Sequence, residues 1–73
     1  MDKNFSERLK LERMRVGTSQ RLLAREVGVT DAATNMMEKG KRYPSYEILI
    51  ALADFFDVSL DYLCGRSDDP RRR

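Results

Sequence analysis

Apolar residues recur along the chain at intervals of three and four, and no stretch alternates apolar and polar residues over the length of a strand. The pattern predicts helices throughout, with Gly and Pro held to the boundaries. Phe5, Leu9 and Val16 form an inward stripe, flanked by Met14 or Leu11, that predicts a first helix from Phe5 to Arg15. Asn4 is its expected N-cap, Glu7 follows three residues later as a capping box requires, and Gly17 stops it. A short second helix runs from a Ser19 cap to Glu26, with Leu22, Leu23 and Val27 on its apolar side. Its Ala24 is small enough for another helix to approach closely. Gly28 suits a C-terminal position of positive φ. A third helix starts after a Thr30 cap, carries Asp31 where it complements the helix dipole, and ends near Lys39, before Gly40.

The segment "KGKRYPS" reads as a basic loop in which Pro44 breaks helix and Ser45 caps the next one. The fourth helix, Tyr46 to Phe56, is the most apolar segment. Tyr46, Leu49, Leu52, Ala53 and Phe56 account for its inner face. Ile48, Ala51 and Phe55 stand at i, i+3 and i+7 and make a second stripe, which Tyr62 can join. That stripe is either a self-complementary dimer face or the second side of a doubly buried helix, and periodicity does not separate the two. Val58 follows, and Ser59 caps a fifth helix through Cys64, closed by Gly65. The closing "RSDDPRRR" is polar. Residues 1–66 are expected to form the domain and 67–73 a flexible basic tail.

With 73 residues the chain suffices for one domain. Cys64 is its single cysteine, which excludes an intrachain disulfide and fits a reducing compartment. With no histidine and no second cysteine, zinc and Cys–His chemistry within one chain are excluded as well. The expected role of Cys64 is that of a small buried hydrophobe. Asp54, Asp57 and Asp61 fall on polar faces and near helix ends, where capping and solubility are their uses. No nucleophile–base pair, Gly-rich phosphate loop or effector pocket is visible, so the reading is not an enzyme and calls for no cofactor or metal. No apolar run approaches the roughly 20 residues of a membrane span, and the charged N-terminus is unlike a signal peptide. A soluble, cytoplasmic protein is expected.

Charge changes the picture more. Residues 1–45 hold ten basic and six acidic side chains, a net of +4, whereas residues 46–69 hold Arg66 against six acidic ones, a net of −5. Arg71, Arg72 and Arg73 close the chain. A basic front half suits a polyanion, and a solvated surface with chance asymmetry is the alternative. The terminal arginines suit added phosphate attraction, a linker or a solubilising tail.

Two short helices joined by Gly28-Val29-Thr30 have helix-turn-helix proportions. Three runs extend the pattern in order: "SQRLLAREVGVT", "MEKGKRYPS" and "LADFFDVSLDYLCGR". Together they resemble the phage repressor and Cro-like (XRE) family of DNA-binding proteins over about Phe5 to Arg66. The resemblance implies an all-α, five-helix lambda-repressor-like domain that places its third helix in the major groove of double-stranded DNA. It also implies an ion pair between Arg13 and Glu38, tying the reading helix to the first.

Base contacts are implied at Thr30, Asp31, Ala32, Asn35 and Met36. Phosphate contacts are implied at Ser19, Gln20, Lys39, Lys41, Arg42, Tyr43 and Ser45. The reading helix departs from the family here, since no arginine is placed to bind guanine bidentately. Asp31 suits a cytosine amino group, Ala32 and Met36 suit thymine methyls, and Asn35 suits adenine if it faces the groove. Thr34 stands where the family puts Ile or Val, and its hydroxyl needs the carbonyl one turn back. Met37 is expected in the core. The expected function is a homodimeric, sequence-specific transcriptional regulator, a repressor. The alternative is an interaction module or antitoxin-like adaptor of the same fold with weak or lost DNA binding, which the sparse hydrogen-bonding inventory of helix three favours.

Overall fold

The computed structural model describes residues 3–72, with side chains from residue 5 onward. Its helices are α1 (Lys3–Val16), α2 (Gln20–Val27), α3 (Asp31–Glu38), α4 (Tyr46–Phe56) and α5 (Leu60–Leu63). The described residues contain no strand.

Four of these helices begin on the hydroxyl residues named for them. Ser19 Oγ accepts from the Leu22 N–H at 3.0 Å, Thr30 Oγ1 from Ala33 at 3.0 Å, Ser45 Oγ from Ile48 at 3.3 Å and Ser59 Oγ from Tyr62 at 3.0 Å. Each bond satisfies a backbone donor that the first turn leaves open and contributes about 1 kcal/mol. Gly28 ends α2 at φ 85°, where the Gly28 and Val29 N–H groups both reach the Ala24 carbonyl at 2.9 Å. Asp57 ends α4 in the same left-handed region at φ 57°, the only non-glycine to do so among the described residues.

The helices close over one core. Phe5 and Leu9 of α1, Leu23 and Val27 of α2, Met37 of α3, Leu49, Leu52, Ala53 and Phe56 of α4, Val58 and Leu63 of α5's flank and body meet there. Thr34 is fully buried and donates its hydroxyl to the Thr30 carbonyl at 3.3 Å, so its polar group is satisfied inside the fold.

Several expectations change. The first helix starts at Lys3, so Asn4 stands inside it rather than capping it. Its inner face is Phe5, Ser6, Leu9 and Glu12, whereas Leu11 and Met14 are each 61% exposed and Val16 is also exposed. Polar side chains close the last turn instead: Arg15 bonds Glu12 at 2.8 Å and the Phe56 carbonyl at 3.2 Å. That pairing lets a carboxylate take the inward place a simple apolar count reserves for Val16. Leu22 and Tyr46 also face outward, Tyr46 at 72% exposure, because Leu23 and Leu49 fill the inward positions beside them. Cys64 is half-buried rather than enclosed.

Residues 67–72 lie back along α5 and the end of α4. The Ser59 N–H donates to the Pro70 carbonyl at 3.0 Å. Arg72 donates to the Ala53 carbonyl at 3.0 Å and pairs with Asp54 at 2.7 Å. From the other side Arg8 donates to the Tyr62 and Ser67 carbonyls, pairs with Asp68 at 2.7 Å and lies 4.4 Å from the centre of the Tyr62 ring. The physical reason is electrostatic: the carbonyls and carboxylates at the end of α4 attract cations.

Candidate nucleic-acid interface

The left-handed turn at Gly28 sends the chain from α2 back into α3, and the two helices pack against each other, with α1 behind α3. Ala33, Thr34 and Met37 are buried against those neighbours. Helical spacing therefore leaves Asp31, Ala32, Asn35 and Met36 together on the outer side. Asp31 and Ala32 are exposed, Met36 is 40% exposed and Asn35 is half-buried. Thr30 is exposed too, and while its oxygen caps the helix, its hydroxyl proton stays free to donate.

Behind this ridge lies a polar chain. Arg13 Nε donates to Glu38 Oε2 at 2.5 Å and Arg13 Nη2 to Glu38 Oε1 at 3.1 Å, a forked ion pair between α1 and the last residue of α3. Arg13 Nη1 adds a bond to the Thr18 carbonyl at 2.9 Å. Gln20 Nε2 donates to Glu38 Oε1 at 3.1 Å, and Asn35 Nδ2 donates to Gln20 Oε1 at 3.3 Å. The Glu38 side chain is only 4% exposed. The links to Gln20 were not legible in the sequence, because they join residues 18 and 15 positions apart. The helix-turn-helix proportions, which set the first turn of α2 beside α3, were the one signal.

The loop after α3 carries Lys39, Lys41, Arg42 and Tyr43, all exposed, and leads to Ser45 at the start of α4. With Arg21 and Arg25 of α2, these cations form no ion pair among the described residues. Ser19 and Ser45 spend their oxygens on capping but keep hydroxyl protons to donate. The free N–H groups at the starts of α2 and α4 favour an anion as well. Arg71 and Arg72 differ, being paired with Asp69 and Asp54.

Of the second stripe on α4, Ile48, Ala51 and Phe55 are half-buried on the core, and the Phe55 ring stands edge-on to Phe56 at 5.2 Å. Tyr62 is half-buried and partly roofed by Arg8. Nearby, burial pushes the Cys64 thiol above its usual range.

Comparison with known proteins places this arrangement. A helix-turn-helix family model matches residues 9–63, more than half of the chain. The chain belongs to that helix-turn-helix family. It is similar to YqaE of Bacillus subtilis strain 168, an uncharacterized HTH-type transcriptional regulator, with 42% identity over 66 residues, 89% of this chain and 57% of the relative. It is also similar to RstR of Vibrio cholerae serotype O1, a cryptic phage CTXphi transcriptional repressor, with 35% identity over 62 residues, 85% of this chain and 55% of that protein. The helix-turn-helix chain thus spans little more than half the length of these relatives. Its fold matches the P22 c2 repressor, solved in complex with the synthetic operator 9T, at a TM-score of 0.82 and 30% identity over 86% of this chain and 96% of that one. The five-helix repressor-like class is therefore established. Among the described residues no helix is long and apolar enough to cross a membrane.

Proposed function

We propose that this helix-turn-helix domain binds operator DNA and represses transcription, with α3 in the major groove. The observation that carries the reading is the exposed α3 ridge followed directly by the exposed cations Lys39, Lys41 and Arg42, which form no ion pair among the described residues. Likeness to a repressor solved on its operator supports the same reading. Phosphates are held by Ser19, Gln20, Lys39, Lys41, Arg42, Tyr43 and Ser45, which supply most of the affinity and make it salt-dependent. Thr30, Asp31, Ala32, Asn35 and Met36 face the bases. Ala32 and Met36 offer only apolar contact to thymine methyls, so hydrogen-bonded discrimination falls to few groups and DNA deformability carries part of it. The domain works as a homodimer on a two-fold site, with Ile48, Ala51, Phe55 and Tyr62 meeting their counterparts. It works in the cytoplasm and needs no cofactor, and its relatives are named as regulators rather than enzymes.

Titration of random-sequence duplex DNA at low and moderate salt, followed by selection of preferred sequences, tests the reading. Salt-sensitive binding and an enriched palindrome are expected. Absent or salt-independent binding points instead to a protein-interaction module, the reading that the short hydrogen-bonding inventory of α3 favours.

A further inference from the structure

We infer that α3 reads 5-methylcytosine, with Asp31 taking the amino group and Ala32 and Met36 enclosing the C5 methyl of the same base. The inference rests on the proposed DNA-binding role of α3 and names the form of DNA that this ridge prefers.

The ridge joins two unlike surfaces. Asp31 stands exposed in the first turn of α3, and the cap is Thr30, which accepts from the Ala33 N–H. Asp31 enters no ion pair among the described residues. A carboxylate only accepts, so the ridge begins with an acceptor. Ala32 comes next in the chain and is exposed, and Met36 lies one turn beyond it, 40% exposed. The inward places of α3 are filled by Ala33, Thr34 and Met37. Ala32 and Met36 therefore form an apolar column on the outer side, bordered by the Asp31 carboxylate.

No unmodified base meets both surfaces. In the major groove cytosine offers its N4 amino donor and no methyl. Thymine offers the methyl, but its O4 is an acceptor that opposes the Asp31 carboxylate. Guanine offers two acceptors, and adenine a donor beside an acceptor with no methyl. 5-Methylcytosine carries the amino donor at C4 and the methyl at C5, neighbouring ring positions, and so answers both surfaces at once. Other methylated bases do not. In a duplex, the methyl of N4-methylcytosine or N6-methyladenine replaces the amino hydrogen that points into the groove, which leaves Asp31 without a donor. Burying one methyl against Ala32 and Met36 favours a modified half-site about four-fold, and two half-sites roughly fifteen-fold.

The test selects the wild-type chain in parallel on random duplex libraries made with ordinary cytosine and with 5-methylcytosine. The preferred duplex is then titrated with each cytosine in turn left unmodified or replaced by 5-methylcytosine, N4-methylcytosine, or thymine paired with adenine. Thermal unfolding checks that the variants Asp31→Ala and Met36→Ala are folded. At one position in each half-site the wild type should bind 5-methylcytosine about four-fold more tightly than cytosine. It should bind thymine and N4-methylcytosine there more weakly than either. Asp31→Ala should keep the methyl gain but accept thymine as well as 5-methylcytosine. Met36→Ala should keep the preference for cytosine over thymine and lose most of the methyl gain. Equal binding of cytosine and 5-methylcytosine at every position overturns the inference, and so does weaker binding of the modified base. So do a wild type that binds thymine as tightly as 5-methylcytosine and a methyl gain unchanged in Met36→Ala. In all these cases salt-sensitive binding leaves the DNA-binding reading standing. Absence of salt-sensitive binding to every duplex removes that reading, and the inference with it.

Discussion

Replacing Glu38 with alanine removes the acceptor on which three hydrogen bonds converge, from Arg13 Nε at 2.5 Å, Arg13 Nη2 at 3.1 Å and Gln20 Nε2 at 3.1 Å. Arg13, whose side chain is 17% exposed, then keeps only the Thr18 carbonyl at 2.9 Å among the described residues. Removing one partner of a buried pair costs roughly 3–5 kcal/mol, because the other charge stays desolvated. Arg13 reaches some solvent, which places the expected loss near the lower end, about 3 kcal/mol. A domain of this size holds on the order of 4–11 kcal/mol in all, and the corresponding fall in Tm is about 12–24 °C. The double variant Arg13→Met with Glu38→Met removes both charges and fills similar volume, so it should lie within about 1 kcal/mol of the wild type. Urea unfolding followed by circular dichroism, with equal m-values across the set, gives the comparison. A Glu38→Ala loss under about 1 kcal/mol, or a double variant as unstable as the single one, would refute the account of this pair.

The other expectations concern the surface. Lys41→Ala should weaken binding to all duplexes alike and lower the slope of log affinity against log salt by about one unit; a sequence-selective loss counts against a phosphate role. Phe55→Lys should shift sedimentation from dimer to monomer, and a chain that is monomeric before and after removes the homodimer. Arg72→Ala deletes the pairs with Asp54 and the Ala53 carbonyl, so exchange of the Ser59 amide proton should quicken while stability changes by less than about 1 kcal/mol. Unaltered exchange would mean that Arg72 does not hold the segment. Because burial raises the Cys64 thiol, the neutral form is favoured in the folded state. Its contribution is whole below the ordinary thiol range and declines as pH rises through the raised value. Alkylation at neutral pH should run slower folded than in urea, and equal rates would contradict the burial.

Local chemistry was legible where the signal sits within one helical turn. Ser19, Thr30, Ser45 and Ser59 read as caps and bond as caps, since a cap and its target are three residues apart. Thr34 was legible for the same reason. The first helix was misread at Val16, Leu11 and Met14 because an apolar count treats every carboxylate as outward. Glu12 turns inward, held by Arg15, a pairing that no periodicity encodes. The contacts of the closing segment were not legible, because its partners, Arg8, Ala53 and Asp54, come from distant parts of the chain. In the candidate interface, the outward residues of α3 followed from spacing, whereas the bonds that join Gln20 to Glu38 and Asn35 needed the folded positions of all three.

The row of hydroxyl caps has a consequence for how the molecule assembles. Each of four helices carries its own start signal, readable before any distant contact exists. The unfolded chain therefore need not search for where its helices begin, only for how they dock. Turns at Gly28 and Asp57 supply stops of the same local kind. Such a chain is suited to rapid collapse into the right topology, with joining of the far ends, Arg8 to the segment beyond Tyr62, left as the final step.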